Sequence, residues 1–336
     1  MPEQLLADTG AQAVPEPRTE RRAAILSVAT ELPSGRLTTE ELAAQLGLSE
    51  EWIISRTGIR ERPRAGADER LSDYATRAGA AALERAGIPA AELDLVIVAT
   101  MTPDELTPNT APLVAHGLGA QTAGAFDVGA ACTAFLTGLS LGAAQIESGR
   151  AERVLLVGAD FVTRITDYED KRSAPLFADA AGAVVIGAIE GVPGGSIGPI
   201  VLAADGSHGQ TIIATHEERK LRLDGPEVFR NAVARMRDVT LQAVARAGLE
   251  LDDIDLFVYH QANARITKAL GERLGLPGER VVDCIEMLGN SSAATVPVAL
   301  AVAERDGRLR PGSRVLVSAF GAGFTWGGGV LEWGGR

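Results

Sequence analysis

The chain has 336 residues, 46% of them hydrophobic, which is enough to bury a large core and too many for a minimal single domain. A net charge of −12 argues against nonspecific nucleic-acid binding, and no apolar run approaches the roughly 20 residues that a membrane span needs. Two cysteines, Cys132 and Cys284, cannot make a disulfide framework, and the four histidines include no zinc-binding pattern, so no metal and a cytoplasmic location are expected.

In chain order, residues 1–21 mix acidic, proline and small residues without an apolar core, and are expected to be a disordered tail. Thr38-Thr-Glu-Glu41 has the spacing of a capping box ahead of an amphipathic helix. A loop is expected from Pro63. Next comes Glu84-Arg-Ala-Gly-Ile-Pro-Ala-Ala-Glu-Leu-Asp-Leu-Val-Ile-Val98, a helix ended by Gly87, an acidic connection and a buried strand.

That pattern returns at Ala245-Arg-Ala-Gly-Leu-Glu-Leu-Asp-Asp-Ile-Asp-Leu-Phe-Val-Tyr259, 161 positions later. Gly129-Ala-Ala-Cys132 then pairs with Gly289-Asn-Ser-Ser292 at an offset of 160, and Gly149–Val157 with Gly307–Val317 after a short insertion. Near-continuous apolar runs such as Val154-Leu-Leu-Val157 suit strands covered on both faces by helices. The expected fold is α/β, a duplicated αβαβα layered arrangement. Its two halves are residues 22–190 and 191–336, with a site at their junction.

Three residues could carry chemistry. Cys132 follows a strand and opens a helix, where unpaired N–H groups and the helix dipole would favour a thiolate; a buried structural cysteine is the other reading. His260 ends the strand Leu256-Phe-Val-Tyr259, a place where polar groups emerge from a sheet, although a satisfied core histidine has the same signature. Asn290 enters opposite the Cys132 turn, where an N-cap role would compete for its side chain. The carboxy-terminal Phe320-Gly-Ala-Gly-Phe-Thr-Trp-Gly-Gly-Gly329 lacks nucleotide-fingerprint spacing. It reads as close backbone approach to a reacting carbonyl, or as a plain glycine-rich turn.

From about Ala24 to Trp333 these segments resemble the beta-ketoacyl-acyl carrier protein synthase III family of the thiolase superfamily. The likeness rests on Trp52-Ile-Ile-Ser-Arg-Thr-Gly-Ile-Arg60, the Ala-Ala-Cys132 turn, Leu176-Phe-Ala-Asp-Ala-Ala-Gly182 and Asp224-Gly-Pro-Glu-Val-Phe229. His260-Gln-Ala-Asn263, Gly289-Asn-Ser-Ser-Ala-Ala294 and Gly323-Phe-Thr-Trp-Gly327 complete it. The resemblance implies a thiolase-like fold and a homodimer. It also implies condensation of an acyl-CoA primer with malonyl-acyl carrier protein through an acyl-Cys132 intermediate, with no cofactor.

Residue by residue, it implies that His260 and Asn290 bond the malonyl thioester oxygen. The N–H groups of Cys132 and Ala322 would form an oxyanion hole. CoA would be held by Trp52, Arg56, Lys171, Phe229 and Asn263, with lysine at 171 departing from the arginine common in the family, so that planar stacking is lost. Thr107 stands where some members place a phenylalanine that shortens the acyl pocket across the dimer, which predicts room for a primer longer or more branched than acetyl. Arg230, Arg265, Lys268 and Arg273 would dock the acidic carrier protein, with Glu272 in place of one expected lysine.

A degradative or biosynthetic thiolase would carry a second cysteine in the carboxy-terminal glycine-rich loop, which has none. A non-catalytic partner subunit would lack the nucleophile. The remaining rival is a specialised-metabolism relative that condenses a polyketide starter or transfers an acyl group to oxygen or nitrogen.

Overall fold

The computed structural model describes residues 21–189 and 195–335. The expected tail at residues 1–20 and the expected junction at 190–191 lie outside the described residues. Arg21 belongs to the folded chain and not to a tail, because its guanidinium bonds the Ile146 and Ala151 carbonyls and pairs with Glu152.

The first sheet opens with β1 (Arg22–Glu31). A short antiparallel pair, β2 (Arg36–Thr38) and β3 (Glu61–Pro63), frames α1 (Thr39–Leu46) and α2 (Glu50–Thr57). The expected capping box is formed: Glu41 N donates to Thr38 Oγ1 at 3.1 Å, and Thr38 N donates to the Glu41 carboxylate at 2.9 Å. Then come α3 (Leu71–Ala86), β4 (Leu95–Ala99), α4 (Thr110–Leu118) and β5 (Gly124–Val128). A 3-10 turn at Ala131–Thr133 leads into α5 (Ala134–Glu147), β6 (Arg153–Phe161) and β7 (Asp179–Ile189). The strand order is β1-β7-β6-β4-β5, with β4 parallel to both neighbours and β7 antiparallel to both of its own.

The second sheet uses β8 (Ser196–Ile197) and β9 (Val201–Ala204) at one edge. A small pair follows, β10 (Ile212–Ile213) with β11 (Arg222–Leu223), then α6 (Gly225–Arg246), β12 (Leu256–Tyr259), α7 (Ala264–Leu274) and α8 (Ile285–Leu288). A second 3-10 turn at Ser292–Ala294 enters α9 (Thr295–Arg305), β13 (Arg314–Gly321) and β14 (Thr325–Glu332). Strand β12 is parallel to β13, β13 antiparallel to β14, and β8 and β9 both pair with β14. The pairing repeats that of the first sheet: Leu95 faces Val154, and Leu256 faces Val315, 161 positions on. Where β5 stands in the first sheet, the second has a single parallel bridge from Phe257 to Val281.

Helices α5 and α9 are apolar on most sides because they lie between the sheets. Leu136, Leu139 and Ile146 of α5 and Val296 and Leu300 of α9 share one core with Ile97 and Val154 of the first sheet and Val258 and Val317 of the second. Each such side chain, fully buried, contributes about 1.5–3 kcal/mol. Helices α3 and α4 cover the outer face of the first sheet, and α6 and α7 that of the second. Five layers, αβαβα, result.

The two 3-10 turns correct the sequence register by one residue. They begin at Ala131 and Ser292, and α5 and α9 at Ala134 and Thr295, so the offset is 161 throughout. Cys132 therefore matches Ala293, not Ser292, and Asn290 matches Gly129. The sequence pairing followed the glycines, but Gly289 occupies a corner of its own, with φ 57° and ψ −163°. A Cβ there would lie 2.9 Å from the Ala178 Cβ, so only glycine fits. Both turns open on a residue in the left-handed region, Ala131 at φ 46° and Ser292 at φ 51°.

Strand ends supply the helix caps. Asp127 of β5 accepts the first N–H groups of α4, Thr110 at 2.8 Å and Ala111 at 2.7 Å. Asp160 of β6, fully buried, accepts Ala293 N at 3.1 Å, Met101 N at 2.8 Å and the hydroxyls of Thr100 and Thr102. Such anchoring at N–H-rich turns is what a carboxylate does best.

Candidate active site

Strand β5 delivers the chain to Gly129, and the left-handed Ala131 turns Cys132 inward. Strand β13 passes so close that a Cβ on Gly321 would stand 2.9 Å from Cys132 N. Among the described residues neither Cys132 N–H nor Ala322 N–H has a backbone acceptor, and both residues line the same pocket.

His260 follows β12, where its N–H donates to the Ser318 carbonyl at 2.8 Å. The residue is 2% exposed, and its Nδ1 lies 2.6 Å from Thr295 Oγ1. Asn290 is clamped by the segment Leu176–Ala178: its N–H donates to the Leu176 carbonyl and its carbonyl accepts Ala178 N–H, each at 2.9 Å. Its Oδ1 accepts Ser292 N–H at 2.9 Å. The capping role and a ligand role therefore use different atoms, because Nδ2 remains to donate into the pocket.

These groups meet in a cavity of about 570 Å³ whose inner wall holds Cys132, His260, Asn290 and Ala322. Its apolar sides come from Met101, Phe177, Leu221, Leu223 and Phe320. At the mouth stand Trp52, Arg56, Lys171, Phe229, Arg230, Asn263 and Arg265, so that eleven of the residues singled out from the sequence line one cavity.

The mouth differs from expectation in two details. The Arg56 guanidinium already stacks on the Trp52 ring, 4.2 Å from its centre, so the aromatic–cation pair forms within α2. Asn263 spends both polar atoms on structure: Nδ2 donates to the Arg56 carbonyl at 3.0 Å, and Oδ1 accepts Arg265 N as the cap of α7. Lys268 is outside the cavity, in a shallow groove beside Ser55 and Glu272, and Arg273 is exposed on the last turn of α7. Thr107 does not line the cavity of its own chain; it sits on an exposed loop next to Leu106, which is 84% exposed.

Electrostatics also depart from the sequence expectation. Burial pushes the Cys132 thiol up to about 12, with the nearby Ser292 hydroxyl acting in the opposite direction. The reason is positional. Helix α5 begins at Ala134, so Cys132 precedes its first turn and burial dominates the dipole. Burial also lowers His260 to about 3 and raises Asp160. At neutral pH the cavity is therefore lined by a thiol and a neutral imidazole.

Sequence reasoning passed over four residues. Thr295 orients His260, Ser292 and Asp160 lie behind Cys132, and Arg62 braces the wall. Arg62 is fully buried and donates to the Pro175 carbonyl through Nε at 3.0 Å and Nη2 at 2.6 Å, and to Thr39 Oγ1 at 3.0 Å. Burial without a carboxylate partner lowers it to about 10. A repeat aligned at 161 would have exposed Ser292 and Thr295 as polar residues opposite Ala131 and Ala134.

The two matched sheets and the buried turns between them define a thiolase-like enzyme. Models of 3-oxoacyl-[acyl-carrier-protein] synthase III match residues 126–206, and of its C-terminal part residues 244–333. The chain is 43% identical over 319 residues to the beta-ketoacyl-[acyl-carrier-protein] synthase III of Rhizorhabdus wittichii, covering 93% of this chain and 100% of that one. Among solved structures it resembles the 3-oxoacyl-[acyl-carrier-protein] synthase III of Aquifex aeolicus, with a TM-score of 0.90 and 37% identity over 93% of this chain and 100% of the other. It also resembles the priming beta-ketosynthase of the R1128 polyketide biosynthetic pathway, with a TM-score of 0.89 and 38% identity over 94% of this chain and 97% of the other. The chain belongs to the beta-ketoacyl-[acyl-carrier-protein] synthase III family of condensing acyltransferases.

Proposed function

We propose that the chain condenses an acyl-CoA primer with malonyl-acyl carrier protein, starting a fatty acid or related chain. The convergence of Cys132, His260, Asn290 and two unoccupied N–H groups on one cavity carries this reading. In the first stage His260 Nε2 takes the thiol proton as the Cys132 sulfur attacks the acyl carbonyl. The oxyanion is held by Cys132 N–H and Ala322 N–H. The bond to the CoA sulfur then breaks, and His260 returns the proton to it. In the second stage the malonyl carboxylate leaves as carbon dioxide, and its electron pair moves into an enolate. The enolate oxygen accepts from Asn290 Nδ2–H and His260. The enolate carbon attacks the acyl-Cys132 carbonyl, and the sulfur departs. Each well-placed donor is worth about 3–4 kcal/mol at the developing charge. No metal or cofactor enters this scheme.

The Trp52–Arg56 stack with Lys171 and Phe229 would receive CoA, and Arg230, Arg265, Lys268 and Arg273 the carrier protein. Among these cations Arg230 is paired with Glu227. We also propose a homodimer formed at the edge strand β5, on the strength of Phe126 at 37% and Leu106 at 84% exposure. A second copy there would carry Thr107 toward its partner's cavity. No helix among the described residues is long and apolar enough to cross a membrane, and both cysteines are free thiols, which suits a cytoplasmic enzyme.

The test is intact-mass measurement after incubation with acyl-CoA. A single acyl adduct is expected, lost in Cys132→Ser and discharged by malonyl-acyl carrier protein; a wild-type protein that takes no adduct would sink the reading. The likeness to a polyketide priming enzyme keeps a second reading alive, in which the product feeds specialised metabolism. Comparing acetyl-, isobutyryl- and longer acyl-CoA primers separates the two, and a strict acetyl preference would refute the roomy pocket expected from Thr107.

A further inference from the structure

The repeat lets each residue near the nucleophile be compared with its counterpart. At the turn Ala131–Thr133 the left-handed residue is alanine, and at Ser292–Ala294 it is serine. A non-glycine residue pays strain to hold such a conformation. Ala131 shows that a methyl group is enough to build the turn. The hydroxyl at 292 is therefore surplus to the fold, and it occurs on the turn that faces Cys132.

That hydroxyl is fully buried and has no hydrogen-bond partner of ordinary geometry among the described residues. Its neighbours are two groups of interest. It stands near the Cys132 sulfur on one side and the Asp160 carboxyl on the other. Asp160 is held in place by Met101 N, Ala293 N and the hydroxyls of Thr100 and Thr102. A buried hydroxyl with no settled partner calls for an explanation, and a neighbouring nucleophile that changes its charge supplies one.

We infer that Ser292 is a positioning residue for the nucleophile: its O–H turns toward the Cys132 sulfur when that sulfur carries charge, and toward Asp160 otherwise. No bond is made or broken; one hydrogen changes acceptor. His260, which follows β12, lines the same cavity as Cys132 and is the proton acceptor of the proposed reaction, and Asp160 of β6 is the carboxyl group near the sulfur. Ser292 would thus offset part of the burial that disfavours the thiolate, and would steady the sulfur when the acyl group leaves it. The inference rests on Cys132 being the nucleophile.

The test is the pH dependence of Cys132 alkylation by iodoacetamide in the full chain, read by peptide mass, with the half-buried Cys284 as internal reference. Ser292→Ala should fold normally, since Ala131 holds the same conformation, and Ser292→Gly removes even the strain. Both variants should show the Cys132 profile moved about one pH unit upward, which is about tenfold less reactive thiol at a given pH. Superimposable profiles from folded variants would overturn the inference even if Cys132 still accepts an acyl group from acyl-CoA. Failure of wild-type acylation counts against the nucleophile reading instead, and is measured separately by the adduct mass.

Discussion

Thr295 Oγ1 lies 2.6 Å from His260 Nδ1 and 2.9 Å from the Ser292 carbonyl oxygen, so one hydroxyl hydrogen has two acceptors within reach. When the hydrogen goes to Ser292, Nδ1–H donates to Thr295 and Nε2 is a base. When it goes to Nδ1, Nε2–H becomes a donor. These are the two states that the two reaction stages ask of His260. Thr295→Val should lower the condensation kcat about 10- to 100-fold, as expected on losing an orienting partner, while the final yield of acyl-Cys132 stays near wild type. Product formation and adduct mass, followed on one sample, check both halves; equal loss of the two would refute the division.

Burial of His260 also has a signature in stability. The folded histidine is held down to about 3, against about 6.5 in the unfolded chain. Between those values the unfolded chain binds a proton that the folded chain refuses, so this group makes stability fall as pH drops from about 6.5 toward about 3, with a slope of up to about 1.4 kcal/mol per pH unit. Asp179, raised to about 6 by burial, acts with the opposite sign, costing stability as pH rises from about 4 to about 6. Urea denaturation of His260→Asn across this window should show a shallower acid-side loss than wild type. Parallel curves would mean that His260 titrates normally.

A methyl group at position 321 would lie 2.9 Å from Cys132 N and 3.1 Å from its Cβ. Both are backbone or near-backbone atoms that cannot swing away. Gly321→Ala should therefore slow acyl transfer about 100- to 1,000-fold while costing only about 1–3 kcal/mol of stability. Single-turnover acylation beside thermal unfolding gives the comparison; full acylation rate in the variant would remove the oxyanion role from this corner.

Reversing charge on α7 should separate the two substrates. Arg265→Glu combined with Lys268→Glu is expected to raise KM for malonyl-acyl carrier protein about tenfold or more, with most of the effect erased at high salt. Self-acylation by acyl-CoA should change less, above all in Lys268→Glu alone, because Lys268 stands outside the cavity that Arg265 lines. Equal loss with both substrates would mean that α7 does not distinguish the carrier protein from CoA, and would refute the separation.

The layers and the repeat were legible because apolar runs and helix-ending glycines are local signals, and Gly87 and Gly248 mark the same event twice. Cys132, His260 and Asn290 were visible as polar residues at strand ends and tight turns. The capping box at Thr38 was read to the residue. What stayed hidden depends on burial and on contacts distant in sequence. The elevated Cys132 thiol follows from its enclosure and from α5 starting at Ala134. Arg62 gains its meaning only when Pro175, 113 positions away, closes over it. Thr107, expected to act across a dimer, does not line the cavity of its own chain, so its role depends on a second copy.

Asp160 and Gly321 are also 161 positions apart, each at the end of its strand. Asp160 occupies the N–H of Ala293, whereas the corresponding N–H of Cys132 faces a glycine and is left available. The molecule thus contains two editions of one turn, one with a thiol and an open N–H, the other with a methyl group and an N–H held by a carboxylate. A side chain at position 321 would crowd the one N–H of the pair that is left open, which makes that glycine a marker for telling working synthases from silent look-alikes.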